Sequence, residues 1–397
     1  CIRDRSYKHL KSTDMKNVHS ILIMLLLIIA GCGKNNQPAN ELSTVDVTAK
    51  YPYKELILQD FMDVEYIPLE TTDEFLCMGS LWGVGKNIII ATNFNNDGNI
   101  FIFDRKGKAL KRINRKGQGN EEYSSYSRII LDEEKEEIFV NNSFAKKIQV
   151  YDLEGNFKRD LLIKKEFSLF EMYNFDKDNL ICHDDFPGNT GQSFMLISKQ
   201  DGSITQEITI PFNEKKSIYV RIEDKTVEGQ YFVYSPQCKH PIMPYFNDYI
   251  LTEYSADTLY QYLPDHTLIP LIARTPSIQS MNPEVILLPS LFTDRYYFMD
   301  AIEKTIEFST TNLLYDKQEK AFFRSKVYNG DYTNEEKVYL NSRRPINGEI
   351  PSWQHLEAAD LIRDYGRGRL KGKLKEIAAE LKEDSNPVIM LIKQKQK

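Results

Sequence analysis

A unit of 47 to 48 residues recurs along the first half of this chain, and nothing else in the sequence constrains the fold as strongly. Phe101-Ile102-Phe103-Asp104-Arg105-Lys106-Gly107-Lys108 returns as Gln149-Val150-Tyr151-Asp152-Leu153-Glu154-Gly155-Asn156, then as Leu196-Ile197-Ser198-Lys199-Gln200-Asp201-Gly202-Ser203. The equivalent glycines Gly107, Gly155 and Gly202 stand 48 and 47 residues apart. Each copy reads as a strand, a turn with glycine at the left-handed position, and a second strand over 109–113, 157–161 and 204–208. Further apolar runs at 87–90, 137–140 and 179–182 precede the copies. A unit of this length holding three or four short strands matches a blade of a β-propeller. Divided by this period, residues 51–397 hold six or seven blades. The expected fold is therefore all-β, a six-bladed propeller with seven blades as the alternative. The 12% aromatic content suits strands.

Later units are less regular. Residues 249–254 and 258–262 predict a hairpin, as do 313–316 and 321–323. Near the end, Ser352 reads as a cap for a helix over 353–364, and Leu370, Leu374, Ile377 and Leu381 follow helical spacing. Residues 388–392 then form a last strand. A propeller must close its ring to avoid free sheet edges, and 64–69 is the natural partner of that strand.

The N-terminus carries a different signal. Residues 21–30 are ten consecutive apolar residues, too short for a membrane span and suited to the core of a signal peptide. Met15-Lys16 precedes them, and Ile29-Ala30-Gly31-Cys32 follows. That tetrad resembles the lipobox of bacterial lipoproteins, which makes Cys32 the lipid-attachment residue. Residues 1–14 then read as an upstream extension without structural role, 15–31 as a lipoprotein signal peptide, 32–50 as a flexible tether and 51–397 as the propeller. Cys77, Cys182 and Cys238 remain, an odd number that defines no disulfide framework.

Several stretches carry a family resemblance. They are Asp63-Val64-Glu65-Tyr66-Ile67-Pro68-Leu69-Glu70-Thr71-Thr72, Phe103-Asp104 to Gly107, Gly117-Gln118-Gly119-Asn120-Glu121-Glu122-Tyr123, Asp257-Thr258-Leu259-Tyr260 and Asn386-Pro387-Val388. Their order resembles that of the six-bladed β-propeller lipoproteins of Bacteroides-type bacteria. The resemblance implies six blades and a lipid anchor, and it implies no known reaction. The family usually has Pro-Gly where this chain has Asn120-Glu121.

Chemistry-bearing patterns are sparse. His183-Asp184-Asp185 offers metal-competent groups, but strand neighbours point to opposite faces. Cys238-Lys239-His240 is a poor nucleophile–base pair, because adjacent residues rarely meet that way. The aromatic segments around Tyr231–Tyr254 and Tyr296–Phe298 favour packing between blades over sugar stacking. Neither a catalytic set, a metal site nor a cofactor is expected. The loop from Arg115 to Tyr123 is the candidate ligand site, with Arg115, Gln118 and Tyr123 its contact residues. The formal charge is −6, and −9 beyond residue 31, the wrong sign for a nucleic-acid binder.

The expected function is that of a ligand-binding or scaffold module anchored in the cell envelope through lipid on Cys32. Its partner would be a glycan, a peptide or an envelope protein. The outer membrane is the expected location, and a tether without an acidic run favours its periplasmic side. The alternatives are a glycan- or peptide-directed lyase or hydrolase, and an accessory subunit of an outer-membrane transport complex.

Overall fold

The computed structural model describes residues 42–395 except 165, 187–190, 228 and 238. The chain enters through three strands, β1 (Ser43–Asp46), β2 (Tyr53–Ile57) and β3 (Met62–Pro68), with one helical turn, α1 (Leu58–Phe61), before the third. Four-stranded antiparallel blades follow. Blade one is β4 (Ser80–Val84), β5 (Ile88–Thr92), β6 (Asn99–Asp104) and β7 (Ala109–Asn114). Blade two is β8 (Arg128–Asp132), β9 (Glu137–Asn142), β10 (Lys147–Asp152) and β11 (Phe157–Leu162). Blade three is β12 (Leu169–Asn174), β13 (Asn179–Asp184), β14 (Phe194–Ser198) and β15 (Ile204–Ile208). A separate hairpin, β16 (Val220–Glu223) and β17 (Tyr231–Tyr234), leads to the next blade.

Blade four is β18 (Ile242–Tyr245), β19 (Asp248–Leu251), β20 (Thr258–Tyr262) and β21 (Leu268–Thr275). Blade five is β22 (Val285–Phe292), β23 (Tyr296–Glu303), β24 (Thr310–Asp316) and β25 (Ala321–Tyr328). Blade six joins the two ends of the chain: β26 (Ser352–Leu356) pairs with β27 (Val388–Gln394), which pairs with β3. Its axial position is filled by the irregular segment 341–346, which turns at 347–350 into β26. The protein is a six-bladed propeller, as expected, and the predicted strand pair closes the ring. α2 (Ala358–Gly366) and α3 (Gly372–Ala378) lie between β26 and β27.

The repeated glycines show why the period exists. Gly107, Gly155 and Gly202 have φ of 85°, 84° and 81°. Each also presses against the outer strand of the preceding blade. A methyl group at Gly107 would stand 2.1 Å from the Pro68 carbonyl oxygen, and one at Gly155 would stand 2.8 Å from the Ile113 side chain. At Gly202 the neighbours are Leu161 and Leu162. So the turn needs glycine twice over, for its handedness and for the seam between blades. Apolar faces fill those seams, as with Ile90, Ile100, Ile129 and Val140 between blades one and two.

Two expectations are corrected. Residues 43–46, assigned to the tether, form β1, whose parallel pairing with β21 gives Val45 a buried place beside Ile272. The propeller therefore begins by residue 42. Residues 353–356 are strand, not helix, because the Ser352 hydroxyl donates to the Leu340 carbonyl, just before the axial segment, at 2.7 Å instead of capping a helix.

Candidate functional site

The first strand of each blade faces the axis, so its residues meet across the ring. Glu171 on β12 is the centre of that meeting. Arg128 Nη2, from β8, donates to Glu171 Oε1 at 2.7 Å. Arg344 Nε, from the axial segment of blade six, donates to Oε2 at 3.3 Å. His240 Nδ1, just before β18, lies 3.2 Å from Oε1 and donates to it, since an ionised carboxylate can only accept. Four blades thus converge on one buried carboxylate.

The electrostatics follow from this geometry. Burial alone would raise the Glu171 carboxyl, but the Arg128 charge, the His240 bond and Arg344 outweigh it and hold it well below the usual carboxylate range. Burial pushes the Arg128 guanidinium down to about 10, so it stays charged at neutral pH. Arg128 Nε also donates to the Phe170 carbonyl at 2.6 Å, and Arg344 bonds the Met172 carbonyl. The Arg344 guanidinium lies 4.0 Å from the Tyr173 ring centre. Glu171 is therefore an anchor for two cations, unable to exchange a proton near neutrality.

One member of this cluster, Arg344, lines a cleft of about 400 Å³ on the axis; Glu171, Arg128 and His240 lie behind that lining. Trp82, Tyr173, Phe175, Phe246 and Tyr249 supply aromatic walls, while Asn174, Asn247, Asn347 and Arg344 supply hydrogen-bonding groups. The cleft lies at the turns that follow the first strands of blades one, two and three, represented by Gly85, Glu133 and Phe175. Glu133 is already committed, accepting from the backbone of Lys86 at 2.5 Å and of Asn87 at 2.8 Å. Cavities of this size and mixed lining are the usual form of small-ligand sites.

The Arg115–Tyr123 loop lies elsewhere and serves the seam between blades one and two. Arg115 Nε donates to the Gly155 carbonyl at 2.8 Å. The Tyr123 hydroxyl donates to the Gly98 carbonyl at 2.7 Å, and its ring is 0% exposed, edge-on to Tyr126 and Tyr151. Tyr123 therefore offers no stacking face; Gln118 is exposed.

His183, Asp184 and Asp185 diverge, as their strand position requires. Burial pushes His183 down to about 4, and it packs against Phe194 and Tyr254. Asp184 accepts from the Ser168 backbone at 2.8 Å, and Asp185 pairs with Lys239 at 3.0 Å and bonds the Tyr219 hydroxyl. Among the described residues no group of three acidic, histidine or cysteine side chains is placed to hold a metal. Cys77 and Cys182 are buried free thiols. Cys32 and Cys238 lie outside the described residues. Tyr245, Tyr249, Tyr254 and Tyr296–Phe298 are buried as expected, but Tyr231–Tyr234 on β17 are exposed.

Fold and axial site together define a closed six-bladed β-propeller with a ligand-sized cleft on its axis. The chain belongs to the family described as a domain of unknown function, DUF4934, which matches residues 42–393. A Bacteroides fragilis protein described as a "putative exported protein" shares the fold at a TM-score of 0.57 and 14% identity, covering 87% of this chain and 99% of its own. A DUF4221 protein of Bacteroides vulgatus aligns at a TM-score of 0.45 and 9% identity, over 85% and 98% of the two chains. Virginiamycin B lyase of Staphylococcus aureus aligns at 0.34 and 9%, over 68% and 94%. No curated protein matches the sequence.

Proposed function

We propose that this chain is a lipid-anchored propeller of the cell envelope that binds a ligand in its axial cleft without turning it over. The observation that carries the reading is the cleft itself: aromatic walls, an Arg344 guanidinium held from behind by buried Glu171, and a lining carboxylate, Glu133, already taken by backbone donors. Such a lining positions polar groups and holds them still; it does not shuttle protons. Glycans and peptides are the ligand classes, since rings stack on the walls and hydroxyls or amides meet Asn174, Asn247 and Asn347. The Ile29-Ala30-Gly31-Cys32 tetrad supports acylation at Cys32, and the description of the Bacteroides fragilis protein supports a place outside the cytoplasm.

The test is a titration of residues 42–397, which make one compact unit, with panels of neutral glycans and cell-wall peptides. Phe246 on the cleft wall is partly exposed, so Phe246→Ala should weaken the cognate ligand several-fold without unfolding the protein. An enzymatic reading rests on His240, whose Nδ1 is oriented by Glu171. Product release that His240→Ala abolishes would replace the binding reading with that one.

A further inference from the structure

The mouth opposite the cleft carries a repeated feature. Second strands of the blades begin at the cleft side and end at the other face: β5 at Thr92, β9 at Asn142, β13 at Asp184. Two residues past each end stands a phenylalanine, namely Phe94, Phe144 and Phe186. All three are exposed, at 46%, 85% and 44%. A single exposed apolar residue needs no explanation, but the same ring at the same place in three consecutive blades does.

Beside this rim sits a cation without an anion. The Arg343 guanidinium lies 5.4 Å from the Phe94 ring centre and 5.8 Å from that of Trp353. Its Nη2 is 3.2 Å from His355 Nδ1. Among the described residues no ion pair joins it to a carboxylate, while Glu357 stands 3.4 Å from the far nitrogen of His355, Nε2. Burial lowers the His355 pKa, the Arg343 charge lowers it further, and Glu357 opposes them. The imidazole is then neutral near pH 7 and accepts from Arg343 without cancelling its charge. A flat guanidinium clamped between rings, with donors to spare, is shaped for a carboxylate.

We propose that this mouth binds acidic glycans, with a uronate carboxylate on Arg343 and successive sugar rings on Phe94, Phe144 and Phe186. A platform that repeats once per blade fits a polymer that repeats one apolar ring face per unit. A peptide offers no such repetition. The site is separate from the axial cleft, and neither proposal depends on the other.

The probe is a set of oligogalacturonates, titrated calorimetrically against their methyl esters. Arg343→Gln should weaken the acid form about tenfold or more, as expected for a charge-assisted contact, and leave the ester unchanged. Phe144→Ala should weaken both by about two- to tenfold at an unchanged melting temperature. Phe246→Ala, on the cleft wall, should leave both affinities intact, which separates this site from the axial one. The proposal is overturned if oligogalacturonates fail to bind at millimolar concentration. Affinities that both variants leave unchanged would also overturn it. So would a preference for peptides with apolar side chains and a free C-terminal carboxylate.

Discussion

Glu171→Gln removes one charge and almost no volume, and it should be among the most damaging single changes in the protein. The carboxylate takes Arg128 at 2.7 Å and Arg344 at 3.3 Å, and it is itself buried. A glutamine leaves two guanidiniums facing each other across the axis, with one amide oxygen between them and an amide donor turned toward a donor. Breaking a buried pair from one side costs about 3–5 kcal/mol. Total stability is typically about 5–15 kcal/mol. Unfolding entropy near 2.1 cal/mol/K per residue, summed over residues 42–397, converts that loss into a drop of roughly 4–7 °C in Tm. The assay is differential scanning calorimetry, repeated on Arg128→Met and on the double variant. The double should cost less than the sum of the singles by about 0.5–3 kcal/mol, because the second change removes a charge the first had stranded. The Glu171 carboxyl is depressed in the folded state, so its contribution is present above the unfolded pKa near 4.5 and fades as pH falls below it. The gap between Glu171→Gln and the parent should therefore narrow on acidification. A variant that melts within a degree of the parent, or a strictly additive double, would refute the keystone role.

Asp300 works in the opposite sense. Burial raises its carboxyl to about 6, opposed by bonds from Asn312 and Asn341. Its contribution is full below the unfolded value near 3.8 and is lost as pH rises through 6, so urea midpoints of Asp300→Asn and parent should converge at pH 5 relative to pH 7.5; parallel pH profiles would falsify this. Gly107→Ala and Gly368→Ala share a left-handed φ, of 85° and 66°, but only Gly107 meets a neighbour, the Pro68 carbonyl at 2.1 Å. Both should pay about 1–2 kcal/mol of conformational strain, and Gly107→Ala should lose measurably more in urea denaturation. Equal losses would mean that the seam yields freely.

What the sequence displayed was the local part. Gly107, Gly155 and Gly202 announced turns because a left-handed residue is a property of a few neighbouring bonds. The pairing of 64–69 with 388–392 was also legible, since ring closure leaves few candidates. The axial cluster was not. Glu171 meets Arg128 across 43 residues, His240 across 69 and Arg344 across 173, and no spacing rule reaches that far. Arg344 was further hidden because the axial segment of blade six lacks the alternation of a strand. Tyr123 misled for a different reason. Its glycine-rich neighbourhood reads as a loop, and nothing in the pattern says that the ring turns inward between blades.

The first three strands have a consequence for how the chain must fold. β1 lies on β21 of blade four, β2 on β25 of blade five, and β3 beside β27 of blade six. In each case the partner is synthesised more than two hundred residues later. Among the described residues these are the earliest strands to be made, and β3 is the last of the three to be satisfied. Blades one to three can assemble as they emerge, each from contiguous chain. β1 can pair once Thr275 has been made and β2 once Tyr328 has, but blade six stays open until Gln394 arrives to join β3. Such distant pairings slow folding and leave edges bare for longer. The same delay keeps the ring unlocked: whatever blades one to five have reached, β3 finds its partner only when the last strand, β27, has been delivered.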